Sequence, residues 1–185
     1  MTLSLRLTLL SALALAGCVA SNEEPFPLDD GEALAPAANG YICDSYDANG
    51  KKVAATQRGR LIPLRRNKKT QYVFVDDASS SADLFTLHRA NGDFYVVAVT
   101  HSDGPGEDLY VAQFVNDKKE FRLYDESNDL EARAQPLARE RGVVFAHNQF
   151  STDLSGPVES QKAFMMELAS DPKGWRMTAD CRAKS

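Results

Sequence analysis

The stretch Leu84-Phe85-Thr86-Leu87-His88-Arg89-Ala90-Asn91-Gly92-Asp93-Phe94-Tyr95-Val96-Val97-Ala98-Val99-Thr100 decides the fold of this 185-residue chain. Two runs rich in aromatic and β-branched residues flank Asn91-Gly92, and Asn-Gly in that setting is the strongest short signal for a β-hairpin. A two-residue turn would place His88 opposite Tyr95. It would also gather one apolar set on a shared face, the better candidate for the core: Phe85, Leu87, Phe94, Val96 and Ala98.

Similar hairpins are predicted along the rest of the chain. Their strands contain aromatic and aliphatic residues and are separated by short polar turns. The predicted strands, in pairs and then singly, are Leu61 to Arg66 with Gln71 to Asp76, Leu109 to Asn116 with Glu120 to Asp125, Val143 to Phe150, and Trp175 to Cys181.

One amphipathic helix is predicted late in the chain, over about 157–170. Pro157 suits the start of a helix, and Val158, Phe164 and Leu168 recur at helical spacing. An earlier stretch between residues 130 and 141 contains Pro136, so we expect at most a short helix there. The fold class is therefore mostly β or α+β, an antiparallel sheet of hairpins with one late amphipathic helix.

The N-terminus carries a different pattern, which concerns location. An apolar run of ten residues, Leu7 to Ala16, follows Arg6; a membrane span needs about 20, and this length is typical of a signal peptide. The run ends in Leu15-Ala16-Gly17-Cys18, which resembles the lipobox of bacterial lipoproteins. The resemblance implies that residues 1–17 are a signal peptide that is removed and that Cys18 becomes the acylated N-terminus. An ordinary secretory signal with an incidental cysteine is the alternative.

The lipoprotein resemblance also implies a compartment. Val19 follows the cysteine where Asp would favour the inner membrane, so the implied site is the outer membrane, facing the periplasm. Two or more acyl chains hold a protein stably on a bilayer, so the bilayer is the first expected partner, through acylated Cys18.

A flexible tether is predicted for residues 18–40, and a single globular domain for residues 41–185. Three prolines and five acidic residues between residues 19 and 40 favour an extended linker. Docking of Phe26 and Leu28 on the domain or on a partner is the alternative.

A disulfide between Cys43 and Cys181 is predicted. If Cys18 carries lipid, these are the two cysteines left, and an exported compartment is oxidising. Two buried free thiols are the alternative. Loss of Arg6 with the signal peptide lowers the basic residues from 21 to 20 against 26 acidic ones. The resulting net charge of −6 argues against nucleic acid as a partner.

A basic segment interrupts this acidic chain between Lys51 and Lys69, where no acidic residue occurs. It could bind anionic lipid, lipopolysaccharide phosphates or peptidoglycan carboxylates. The alternative is the solvated face and turn of a hairpin. The candidate anion-binding patch consists of Arg58, Arg60, Arg65, Arg66, Lys68 and Lys69.

No motif for catalysis, cofactor or metal binding stands out. Nucleophile elbow, zinc-protease helix, Cys-x-x-Cys pair and phosphate-binding loop are absent from the sequence. His88, His101 and His147 lie in separate segments without the spacing of paired metal ligands. We therefore expect no enzymatic activity, no cofactor and no metal site.

The first functional hypothesis is a lipid-anchored interaction or assembly module with another envelope protein or an anionic envelope polymer as its partner. Two alternatives stay open. One is an inhibitor or a binder of a small ligand or glycan, since Tyr41-Ile42-Cys43 resembles the domain start of lipid-anchored lysozyme inhibitors. The other is an envelope enzyme whose site is assembled from distant residues. A deep apolar pocket would favour a ligand, and a flat apolar patch a protein partner.

Overall fold

The computed structural model describes residues 19–27, 30–34, 37–66, 69–76, 82–100, 105–117, 119–147 and 152–184. This part of the chain forms strands joined mostly by short turns, with two helices in its last third. The elements in chain order are β1 (Val19–Ser21), β2 (Tyr41–Tyr46), β3 (Lys52–Arg66), β4 (Lys69–Asp76), β5 (Ala82–Asn91), β6 (Phe94–Thr100), β7 (Glu107–Val115), β8 (Glu120–Glu126), α1 (Asn128–Arg141), β9 (Val144–His147), β10 (Thr152–Ser155), α2 (Val158–Ala169) and β11 (Trp175–Ala183).

Eight of these strands close into a barrel. Their order is β6-β5-β4-β3-β2-β11-β8-β7, and β7 pairs back onto β6. Every pairing in the ring is antiparallel. Closure pairs each of these strands with a neighbour on both sides over part of its length, while the ends of β3 and β4 near Arg66 and Lys69 pair only with each other. The predicted mostly β fold, with an antiparallel sheet of hairpins and a late helix, is confirmed.

The inside of the barrel is a packed core. Because side chains alternate between the two faces of a strand, every second residue points inward, and an eight-stranded barrel is just wide enough for such side chains to fill. The buried inward-facing set includes residues of all eight strands: Tyr41, Cys43, Leu61, Tyr72, Leu87, Tyr95, Val97, Tyr110, Ala112, Phe114, Phe121 and Cys181, with Phe74, Phe85, Val99, Leu123 and Ala179 packed against them.

The predicted disulfide lies in this interior and is confirmed. Cys43 on β2 and Cys181 on β11 are directly opposite each other, and their sulfur atoms are bonded. The bridge joins strands near the two ends of the folded chain, 138 residues apart in sequence. A loop of that length gives roughly 5 kcal/mol of stabilisation at most in the chain-entropy model.

A second core lies outside the barrel, under the two helices. The predicted late helix is confirmed as α2, which buries Phe164, Met165 and Leu168. Helix α2 packs against β5, β6 and β10, and α1 packs against β9 and α2. The strands below contribute outward-facing residues, among them Val96, Ala98, Leu109 and Val111.

The register predicted for the β5–β6 hairpin is wrong by one residue. A register shift between Arg89 and Asn91 places Leu87 opposite Val97 and His88 opposite Val96. When the pairing shifts by one residue, the side chains of one strand turn to the opposite face of the sheet from the one that the original pairing gives them. Val96 therefore points outward and Val97 inward. Both faces of this hairpin are buried, so the apolar pattern did not favour either register.

Helix α1 is longer than the sequence predicts. It runs through Pro136 to Arg141 and ends at Gly142, whose φ of 67° is left-handed. Proline removes one hydrogen bond inside a helix, but Leu130, Ala134 and Ala138 are buried on the same helix face. Their burial offsets that loss, so the prediction of a short helix is wrong.

The segment predicted to be a flexible tether is packed onto the domain in the structure. Val19–Ser21 forms β1, which pairs with β7 on one side and β10 on the other. Phe26 is fully buried, and Leu34 reaches the barrel interior. Proline and acid content indicated a linker, but these apolar side chains dock it, which corresponds to the alternative for Phe26; Leu28 lies outside the described residues.

Candidate interaction surface on the barrel wall

The outer surface of the barrel has two different halves. The outer face of β5, β6 and β7, here called the covered wall, lies under the helical layer, with α2 packed on β5 and β6 and β1 paired beside β7. The outer face of β11, β2, β3 and β4, here called the bare wall, keeps its outward side chains at least partly exposed along β3. Arg58 and Arg60 are exposed, Ile62 is half-buried, and Leu64 is 42% exposed.

The acidic residues of the bare wall are already paired. Asp44 on β2 lies 2.8 Å from Lys52 Nζ and 2.9 Å from Arg182 Nη2. Asp180 on β11 lies 3.5 Å from Arg122 Nε. These pairs neutralise the two carboxylates locally.

Arg58 and Arg60 have no such partner. Within the described residues, neither side chain makes an ion pair or a hydrogen bond. Both point outward from β3, because the inward positions of that strand include Gly59 and Leu61. The middle of the bare wall therefore carries two unpaired positive charges in a chain whose net charge is −5.

The structure divides the predicted anion-binding patch. Arg58 and Arg60 share the bare wall, whereas Arg65, Arg66 and Lys69 lie at the ends of β3 and β4. Five residues of strand separate Arg60 from Arg65, which is roughly 17 Å. Only backbone pairing is described for these last three residues, and Lys68 lies outside the described residues.

Aliphatic side chains adjoin the two arginines. Ile62 on β3 is directly opposite Val73 on β4, and both are half-buried. Leu64, two residues further along the same face of β3, is 42% exposed. The wall thus has aliphatic side chains beside its positive charges.

His88 and His147, the two histidines within the described residues, lie in different parts of the structure. His88 is buried on the covered wall, where its Nε2 lies 2.8 Å from Thr86 Oγ1 and its ring 4.8 Å from that of Phe26. Burial lowers the pKa of His88 to about 4. His147 lies on β9, and His101 lies outside the described residues. In the described part of the chain, no three His, Cys, Asp or Glu residues are grouped closely enough to hold a metal ion.

A polar cluster joins β8 to β9 and β10. Thr152 Oγ1 donates a hydrogen bond to Glu126 Oε1 and lies 2.9 Å from His147 Nδ1. On the neighbouring residue, Asp125, burial raises the pKa to about 6, although Arg176 Nη2 lies 3.1 Å away. Thr152 is fully buried, so its hydroxyl connects strands and is not accessible as a nucleophile.

A cavity of about 450 Å³ opens at one end of the barrel, beside the β5–β6 and β7–β8 turns. The Arg89 guanidinium lines this cavity. Its Nη2 lies 2.7 Å from Glu32 Oε1, and its Cζ lies 5.0 Å from the centre of the Tyr95 ring. Most of the lining is polar, in contrast to a deep apolar pocket. The lining residues are Arg89, Asp93, Tyr95, Phe114, Asn116 and Asp117.

Comparison with known proteins adds no family to this description. No family model, curated protein or solved structure matches the chain. None of the helices in the described residues has the length and apolar character needed to cross a membrane.

Proposed function

We propose that this protein is a lipid-anchored, non-enzymatic module of the bacterial envelope that binds an acidic protein partner on its bare wall. The lipobox supports acylation of Cys18 and a position on the outer membrane, facing the periplasm. The Cys43–Cys181 disulfide is compatible with that oxidising compartment.

The observation that carries the proposal is the bare wall itself. Side chains fill the barrel interior, and the cavity at its end is lined mainly by polar groups. Ligand sites are usually concave and apolar, whereas protein interfaces are enriched in arginine around an apolar centre. Arg58 and Arg60 beside Ile62 and Leu64 match the second description.

Charge complementarity specifies the partner as acidic. Two unpaired arginines on one side of an acidic protein attract a surface of the opposite sign and orient its approach. The aliphatic residues favour a folded protein over an anionic polymer, because a phosphate or carboxylate polymer gains nothing from contact with Ile62 or Leu64. An anionic polymer remains an outcome that the experiment distinguishes.

The proposal is tested by photo-crosslinking in intact cells. A photoreactive amino acid replaces Leu64 on the bare wall, and a matched variant carries it at Glu159, an exposed position on α2. We expect one dominant protein adduct from position 64 and none from position 159. The double substitution Arg58→Glu and Arg60→Glu should remove the adduct from position 64.

Each other result contradicts the proposal in its own way. Equal adducts from both positions would mean non-specific contact. An adduct that survives the charge reversal would exclude recognition of an acidic surface by these arginines. Adducts with polysaccharide or lipid alone would replace the protein partner by an anionic polymer or membrane.

A further inference from the structure

The first strand holds the chain in place immediately after Cys18. Val19 pairs with Leu109 on β7 and with Thr152 on β10, and only 1% of its surface is exposed. Consecutive Cα atoms across a trans peptide are about 3.8 Å apart. A lipid on Cys18 would therefore be attached directly beside the folded domain.

The residues that follow β1 are also fixed. Ser21 Oγ donates a hydrogen bond to Gln161 Oε1 of α2 at 2.7 Å, and the Phe26 backbone N–H donates to Glu107 Oε2 at 2.9 Å. Further along, the Leu34 backbone N–H donates to the Tyr72 hydroxyl. Release of this segment as a tether would break buried hydrogen bonds and expose the fully buried Phe26.

The start of β1 and the bare wall lie on opposite sides of the barrel. Strand β1 pairs with β7, and in the ring of eight strands β3 is four places from β7 in either direction. Strand spacing and tilt give such a barrel a backbone diameter of roughly 16 Å. Arg58 and Arg60 on β3 are thus separated from the lipid attachment point by the full width of the barrel.

The sheet beside the attachment point has small side chains and two acidic ones on its outer face. Strands β1, β10 and β9, here called the side sheet, align Ala20, Asp153 and Ala146 in one row across it, and Asp108 of β7 continues the row beyond Ala20. Val144, on the same face of β9 as Ala146, is 59% exposed. The unpaired arginines lie on the opposite wall.

We infer that the domain rests directly against the lipid surface through the side sheet, with the bare wall turned away from the bilayer toward its partner. The inference depends on the lipid anchor of the proposed function. It differs from a tethered arrangement, in which a domain would rotate freely and contact the bilayer through no particular face. The side sheet, formed by β1, β10 and β9, therefore contacts a lipid surface.

The experiment measures how close each side of the domain lies to the bilayer. The acylated protein is reconstituted into vesicles of phosphatidylethanolamine and phosphatidylglycerol that contain a lipid with a nitroxide on its headgroup. Ala146→Cys and Leu64→Cys each add one free thiol for a fluorophore, because the native cysteines are acylated or in the disulfide. We expect most of the fluorescence at residue 146 to be quenched and almost none at residue 64.

A linker variant is the matched control. A flexible insert of about 12 Gly and Ser residues between Cys18 and Val19 would span roughly 20 Å on average and leaves β1 intact. This variant should still float with the vesicles, but the quenching at residue 146 should fall to the level seen at residue 64. Cys18→Ser should no longer float at all.

The outcomes separate the two proposals. If the wild-type protein does not float with vesicles, or floats as well after Cys18→Ser, the lipid anchor fails and the inference fails with it. If anchoring depends on Cys18 but both probes are quenched equally, the anchor stands and the orientation is wrong. Quenching at residue 146 that is unchanged by the linker would also contradict direct seating.

Discussion

The two halves of the barrel wall differ in whether the outward side chains of their strands are buried or exposed. On the covered wall, both faces of β6 are apolar: Val97 points into the barrel, and Val96 points outward into the second core. On the bare wall, β3 alternates from Arg58 to Leu61, with Gly59 and Leu61 buried and Arg58 and Arg60 exposed. The covered wall is committed to packing on both faces, whereas the outward residues of the bare wall are left available to a partner.

This difference separates residues that stabilise the fold from residues that remain at the surface within one sheet. Outward residues of the covered wall are buried and contribute hydrophobic free energy. On the bare wall, Arg58, Arg60 and Leu64 remain in water, so substitutions of these residues change the surface with little effect on folding. A barrel of this design could change its partner through β3 without a change in its core.

The largest expected effect comes from removing a ring from the covered side. Phe164 on α2 is fully buried, and its ring lies 5.4 Å from that of Phe145. Phe164→Ala should lower the free energy of unfolding by about 3–5 kcal/mol, because it removes buried area and leaves a cavity. Urea denaturation of the purified domain, followed by circular dichroism, measures the change.

The matched substitution on the bare wall is Leu64→Ala. Leu64 is 42% exposed, so its truncation should change the unfolding free energy by no more than about 0.5–1 kcal/mol. Similar losses for the two variants would mean that the bare wall is covered in solution, and the comparison between the walls would then be wrong.

The second prediction concerns how the free energy of unfolding depends on pH through His88, which lies on the covered wall. The expected change is about 3 kcal/mol. Burial lowers the pKa of His88 from 6.5 to about 4; nearby Lys162 also lowers it, while Asp30 and Glu32 raise it. Unfolded His88 takes up its proton near pH 6.5, whereas the folded form does so only near pH 4. Stability is therefore complete above about pH 6.5 and falls by about 3 kcal/mol as the pH drops to about 4.

The measurement compares the wild type with His88→Phe by urea denaturation at about pH 7 and about pH 4. The difference between the two proteins isolates His88 because Asp125, whose pKa burial raises to about 6, acts in the opposite direction in both. Protonation of Asp125 on acidification favours the folded state. If the two proteins lose the same stability on acidification, His88 is not buried as described.

The sequence predicts the bare wall better than the covered wall, for a physical reason. The run of basic residues from Lys51 to Lys69 indicates a solvated face on the hairpin that contains Leu61 to Arg66, and Arg58 and Arg60 are visible as candidates in the sequence itself. On the covered wall both faces are apolar, so the β5–β6 register could not be read from the pattern. The pairing of Asp44 with Arg182 was missed because it requires β2 to neighbour β11, a contact between the two ends of the chain.

The N-terminal segment shows the same limit of local patterns. Prolines and acids between residues 19 and 40 favour a linker, yet Val19 and Phe26 are buried at sites that only the folded barrel and α2 create. Pro136 likewise argues against a helix locally, but burial of one face of α1 outweighs it. In both places, tertiary burial overrides the local signal.

The smallest expected change in the free energy of unfolding is that of Arg58 and Arg60, which is compared here with Asp44 on the same wall. Arg58→Glu with Arg60→Glu should change the unfolding free energy by less than about 0.5 kcal/mol, because both side chains are exposed and unpaired. Asp44→Asn on the same wall is the contrast: Asp44 is 6% exposed and holds Lys52 and Arg182, so its neutralisation should cost about 1 kcal/mol or more. Urea denaturation at low salt measures both variants. If the arginine variant were the less stable of the two, the unpaired charges would serve the fold, and their assignment to partner binding would lose its basis.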